Sequence, residues 1–132
     1  MKVWINGDFY DRDQAKASVF DAGFQHGVGL FETMQARGKH VFRLDDHLRR
    51  LHDSARELGL TERLQEQPLA EAVQRTVEEN AFPKTRIRLT LTGGDLNLLT
   101  KDGVSQVDPT ILIVAQPSTP YPEDYFYNGL QD

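Results

Sequence analysis

No cysteine occurs among the 132 residues, which excludes disulfides, zinc–thiolate sites and thiol nucleophiles together. No run of about 18 apolar residues exists, so no segment is expected to span a membrane. The opening "MKVWINGD" lacks the apolar core of a secretory signal, and none is expected. Positive charge is not in excess either: the formal net charge is -5, whereas a chain built to coat nucleic acid is usually basic. The two signs are interspersed, with no like-charge block that would mark an interaction tail. Any anion must therefore be caught locally, by a few placed arginines. These absences lead us to expect a cytoplasmic protein with neither a nucleic-acid nor a membrane partner.

What is present suits one globular domain, because 132 residues with 39% hydrophobic content can bury a single core and not two. "KVWINGDFY" is a hairpin signal, with Asn6-Gly7 supplying the dipeptide of a two-residue type I′ turn. Residues 11 to 18 are polar and expected to be irregular. "LFETMQA" (30–36) and "HVFR" (40–43) predict two strands joined across Arg37-Gly38-Lys39. "FRLDDHLRRLHDSARELGL" (42–60) predicts a helix capped by Asp45 or Asp46 and ending near Gly59. Its apolar stripe is Leu44, Leu48, Leu51, Ala55 and Leu58. A second helix is expected to start at Pro68, with Leu69, Val73, Thr76 and Val77 on one face and Asn80 near its end. "TRIRLTLT" (85–92) alternates, placing Ile87, Leu89 and Leu91 on one side and Arg86, Arg88, Thr90 and Thr92 on the other. A long loop from Gly93 to about Asp108 precedes the strand "TILIVA" (110–115). The order is strands, two helices, then strands, an α+β domain. The proline- and aromatic-rich tail from Gln116 has the composition of a connector.

Several chemical motifs are missing. Gly23, Gly27 and Gly29 do not form a Walker pattern, and they lead into a strand, the reverse of a dinucleotide fingerprint. They mark places where the backbone bends or approaches a neighbour closely. His26, His40, His47 and His52 show no metal-ligand spacing, so no metal is expected. The adjacent pairs Asp45-Asp46 and Glu78-Glu79 diverge on their helices and suit solvated surface.

Two arginines in the first helix need an account. Arg49 can pair with Asp53 and Arg50 with Asp46, each at i,i+4 spacing. Arg50 also shares an edge of the helix with His47 and Ser54. A cation, an imidazole and a hydroxyl there can hold a phosphate group, which guanidinium matches with two parallel hydrogen bonds.

Three stretches, "VFDAGFQHGVGLFETM" (19–34), "FRLDDHLRRLHDSARELGL" (42–60) and "TRIRLTLTGG" (85–94), resemble the N-terminal domain of class IV aminotransferases. These are the fold-type IV pyridoxal-phosphate enzymes: branched-chain and D-amino-acid aminotransferases and aminodeoxychorismate lyase. The resemblance runs over residues 2 to 117, and it joins G-x-G-x-F-E-T with H-x-x-R-L-x-x-S-A. It implies a mostly antiparallel sheet with two helices, the small domain of the D-amino-acid aminotransferase-like fold. By the same resemblance Arg50 binds the phosphate of pyridoxal 5'-phosphate, while Phe31 and Arg88 line the substrate pocket. His26 stands where many members carry an aromatic, and a pocket-lining role is implied for it too. Arg88 retains the alternative of an exposed strand arginine. D-amino-acid members tend to have arginine at or beside Gly93, and its absence points away from that subgroup.

The family's Schiff-base lysine lies in a second domain, and Lys2, Lys16, Lys39, Lys84 and Lys101 match no motif that would supply it. We therefore expect residues 1–117 to be the small domain and 118–132 the connector and start of a further domain. The implied reaction of the intact protein moves an amino group between an amino acid and a 2-oxo acid. It is expected in a homodimer, with the loop 93–108 reaching toward the partner's site. The alternatives are an aminodeoxychorismate lyase on the same scaffold and a non-catalytic binding module.

Overall fold

The computed structural model describes residues 1–21, 23, 24, 27, 29–57, 65–94 and 109–118. Six strands form one sheet in the order β2-β1-β6-β5-β3-β4. They are β1 (Lys2–Ile5), β2 (Asp8–Asp11), β3 (Gly29–Arg37), β4 (His40–Val41), β5 (Lys84–Thr92) and β6 (Thr110–Pro117). Two helices, α1 (Leu44–Glu57) and α2 (Glu66–Asn80), follow β4 in the chain. Every ladder among the described residues is antiparallel, in keeping with the α+β class expected. None of the described helices is long and apolar enough to cross a membrane.

Alternation decides which side of the sheet the helices cover. Met34, Ala36, Ile87, Leu89, Leu91 and Ile113 form a core with Leu48, Leu51 and Ala55 of α1 and Leu69, Ala72, Val73 and Val77 of α2. The helix faces expected from spacing are thus the buried ones, apart from Leu58, which lies outside the described residues. α1 packs on β3, and α2 reaches β1 and β6. Asn80 ties the end of α2 to the first strand. Its Oδ1 accepts the Lys2 N–H at 2.7 Å, and its Nδ2 donates to the Lys2 carbonyl at 3.0 Å.

The Asn6-Gly7 turn forms as expected, with Ile5 opposite Asp8 and positive φ at both turn residues, 46° and 104°. Several boundaries move. β2 extends to Asp11, and Arg12–Gln14 makes a short 3-10 turn. β4 stops at Val41, because Arg43 takes a positive φ of 52° that turns the chain into α1. Consequently α1 starts at Leu44, and Asp45 and Asp46 lie in its first turn instead of capping it. There their charges complement the helix dipole. α2 begins at Glu66, two residues before Pro68. Proline still sits among the first four N–H positions, which have no intrahelical acceptor. β6 continues to Pro117. The stop near Gly59, residues 95–108 of the long loop and the tail from residue 119 lie outside the described residues.

Candidate functional site

β3 carries consecutive side chains to opposite faces of the sheet, and both faces hold polar groups. Leu30, Glu32, Met34 and Ala36 have core parity. Glu32 is thereby delivered beneath α1, where it is only 8% exposed. A lone carboxylate there would be heavily penalised. It is met by two α1 residues three apart, which share a face of that helix. Arg50 Nε donates to Oε1 at 2.7 Å and Arg50 Nη2 to Oε2 at 2.6 Å, a two-point contact. His47 Nδ1 lies 2.8 Å from Oε2. It also lies 3.2 Å from Arg50 Nη2, but Nη2 carries only donors. A proton on Nδ1 directed at Glu32 therefore satisfies the carboxylate, and the Arg50–His47 contact is close packing. The Arg50 hydrogen bonds hold the Glu32 carboxyl below the usual carboxylate range, against the upward push of burial.

Arg50 thus pairs with Glu32 across the packing interface, not with Asp46 along its own helix. The i,i+4 rule ranks partners on one helix and knows nothing of the strand beneath it. Asp53 stands 3.9 Å from His52 Nδ1. Ser54 is half-buried and makes no hydrogen bond with Arg50 or His47. The Arg50 side chain remains 66% exposed. Glu32 takes its Nε–Nη2 edge, while Nη1 has no hydrogen-bond partner among the described residues. The outer Nη1–Nη2 edge can therefore receive a second planar or tetrahedral anion.

The opposite face of the sheet holds Phe31 and Arg88. Phe31 is level with Thr90, and Thr33 with Arg88, so the two side chains are diagonal neighbours. The Arg88 guanidinium carbon sits 4.2 Å from the Phe31 ring centroid, a cation–π contact. Beside them opens a hollow of about 480 Å³, lined in part by Phe24, Phe31, Thr90, Leu112 and Asp21. Phe31 is 60% and Phe24 75% exposed, so aromatic surface faces the opening. His26 lies outside the described residues.

Asp21 anchors the floor of this hollow. Its Oδ1 accepts the Gly23 N–H at 2.7 Å, the local turn that aspartate favours. Burial pushes its carboxyl up, but hydrogen bonds from the Thr110 and Thr92 hydroxyls and from Gly23 outweigh this and hold it low. Gly23 is required by closeness, since a Cβ there would stand 2.7 Å from Thr92 Cγ2. Two site residues, Glu32 and Asp21, escaped the sequence reading. The signal for Glu32 was its parity: a carboxylate in step with Leu30 and Met34 must find a cation. For Asp21 it was the Asp-x-Gly spacing.

Consecutive on β3, Phe31 and Glu32 point to opposite faces, so the sheet separates the Phe31–Arg88 pair from the Arg50 cluster. The separation ends at an open rim. β4 pairs only with Ala36 and Arg37, and from Gly29 to Met34 the outer edge of β3 has no strand partner among the described residues.

A model of class IV amino-transferases matches residues 29–126. The chain is 38% identical over 122 residues to a Methanocaldococcus jannaschii protein assigned as a branched-chain-amino-acid aminotransferase, covering 91% of this chain and 41% of that one. It is 34% identical over 93 residues to a D-alanine aminotransferase of Staphylococcus epidermidis, covering 70% and 33%. The solved branched-chain aminotransferase of Thermoproteus uzoniensis, with norvaline, superposes at a TM-score of 0.75 and 33% identity, over 89% of this chain and 40% of that one. The chain accordingly spans 33–41% of the length of these relatives. With the match running from the first residue of β3 past the end of β6, the chain belongs to the class IV amino-transferase family of pyridoxal-phosphate enzymes.

Proposed function

We propose that this chain is the small domain, residues 1–117, of a pyridoxal-phosphate aminotransferase, with residues 118–132 starting the connector to a second domain. The intact protein would move an amino group between an amino acid and a 2-oxo acid. The observation that carries this reading is Arg50, whose exposed guanidinium keeps one two-point edge open while Glu32 holds the other. A phosphate monoester fits that edge in charge and geometry. When bound, the cofactor supplies the electron sink for chemistry at the amino acid's α-carbon.

This chain's own residues would bind and orient, with the Schiff-base lysine supplied by the second domain. Arg50 holds the phosphate. Phe31 and Arg88 form one wall of the substrate pocket, with the ring excluding water and the guanidinium available to a carboxylate; a pocket-lining role is proposed for His26 from its position in the family motif. The open rim of β3 lets one ligand reach both sets, because no strand among the described residues lies between them. Exposed aromatic surface at Phe20 and Phe24 supports cover by a second chain, consistent with a homodimer. The cytoplasm is the proposed compartment.

The test is a cofactor titration of the full-length protein. Arg50→Ala should weaken pyridoxal-phosphate binding on the order of a hundred-fold, the scale of losing a charged hydrogen-bond partner. Arg50→Lys should recover only part, since an ammonium cannot make the planar contact. Arg49→Ala should change little. Equal losses for Arg49→Ala and Arg50→Ala would return Arg50 to a surface role. Pyruvate release from a chorismate-derived amine without amino transfer would move the activity to the lyase.

A further inference from the structure

Only four polar or charged side chains are buried among the described residues: Asp21, Glu32, Thr76 and Thr85. Asp21 organises a turn, and Thr76 donates to the Ala72 carbonyl within α2. Glu32 has no such backbone role. Its neighbours of the same parity are Leu30 and Met34, and an apolar residue between them would pack against α1 without any charge to desolvate. Buried ion pairs are weak sources of stability compared with such a replacement. The packing of this core therefore does not account for the carboxylate.

Resting on the reading of Arg50 as the phosphate anchor, we infer that Glu32 is a positioning residue. It grips the Nε–Nη2 edge of Arg50 and so presents the Nη1–Nη2 edge to the cofactor's phosphate. An unheld arginine on a helix surface samples many rotamers, and ordering it on binding costs affinity. The fork-to-fork contact fixes both the position and the plane of the guanidinium. His47 Nδ1–H, 2.8 Å from Oε2, holds the carboxylate in turn. Glu32 thus acts on the phosphate through Arg50, as an outer ligand support does at a metal site.

Positioning by Glu32 and simple electrostatics have opposite signs on neutralisation. Glu32 places a negative charge close to a bound phosphate, so by Coulomb's law alone its neutralisation should tighten binding. If it positions Arg50, neutralisation should weaken binding. In Glu32→Gln the amide nitrogen would face guanidinium donors and release one side of the grip.

The experiment titrates the full-length protein with pyridoxal 5'-phosphate and, separately, with pyridoxal, following the bound-cofactor absorbance. Glu32→Gln should weaken the phosphorylated ligand roughly ten-fold or more and leave pyridoxal unchanged. In an Arg50→Ala background the same substitution should have no further effect. Glu32→Asp, which keeps the charge but shortens its reach, should also weaken the phosphorylated ligand, and it carries the test if the glutamine variant does not fold. Unchanged or tighter pyridoxal-phosphate binding would overturn the inference, as would equal loss for both ligands, which marks a purely structural role. If Arg50→Ala itself leaves pyridoxal-phosphate affinity intact, the phosphate-anchor reading fails and the inference falls with it.

Discussion

Replacing Gly23 by alanine tests the close approach on which the hollow depends. A Cβ at this position would stand 2.7 Å from Thr92 Cγ2 and 3.1 Å from Asp21 Oδ1. The first distance is far inside carbon–carbon contact, so Thr92 must move. Thr92 cannot swing freely, because its hydroxyl accepts the Gly94 N–H at 3.2 Å. Overpacking of this kind costs about 1–3 kcal/mol. The φ at Gly23 is not in the left-handed region, so alanine also gains about 0.4–1 kcal/mol by restricting the unfolded chain. The net expectation is destabilisation by roughly 0.5–2.5 kcal/mol, seen as a lowered denaturant midpoint with unchanged slope. Thr92→Ser removes the offending methyl and keeps the hydroxyl. The double variant should recover most of the loss, with a coupling of about 1–2 kcal/mol. Strict additivity of the two substitutions would refute the clash, and with it the account of why glycine stands here.

Acid should loosen the same structure from two sides. Glu32 and Asp21 both have carboxyl groups held below their ordinary values, Glu32 chiefly by Arg50 and Asp21 by hydroxyl and backbone donors that outweigh burial. A lowered folded value means the unfolded state binds protons first. The stabilisation is therefore complete above roughly pH 5 and lost progressively below about pH 4. Glu32→Gln should flatten this acid limb in pH-dependent unfolding, and an unchanged limb would contradict the Glu32 assignment. On the open face, Phe31→Leu and Arg88→Gln should alter relative kcat/KM among amino donors while leaving the bound-cofactor spectrum intact. A pocket wall discriminates by about 1–3 kcal/mol per methylene. Unchanged donor preference after both substitutions would remove them from the pocket.

Much of the architecture was legible in local pattern. The alternation of "TRIRLTLT" assigned Ile87, Leu89 and Leu91 to the core and Arg88 to the open face, because a strand's period of two leaves no other choice. Helical spacing likewise identified the faces of α1 and α2, and Asn6-Gly7 named its own turn, since few dipeptides tolerate two positive φ values. Phe31 and Arg88 could be placed on strands but not beside one another. Their contact depends on β3 pairing with β5 at one register, across two helices of intervening chain. The partner of Arg50 was hidden for the same reason. Spacing ranks Asp46, four residues away on the same helix, and only the docking of α1 onto β3 brings Glu32 within 2.6–2.7 Å. Periodicity is a property of one element and is written in consecutive residues. Strand order, register and helix docking are properties of pairs of elements, decided by which apolar faces bury one another, and they alone brought a strand carboxylate and a helix guanidinium together.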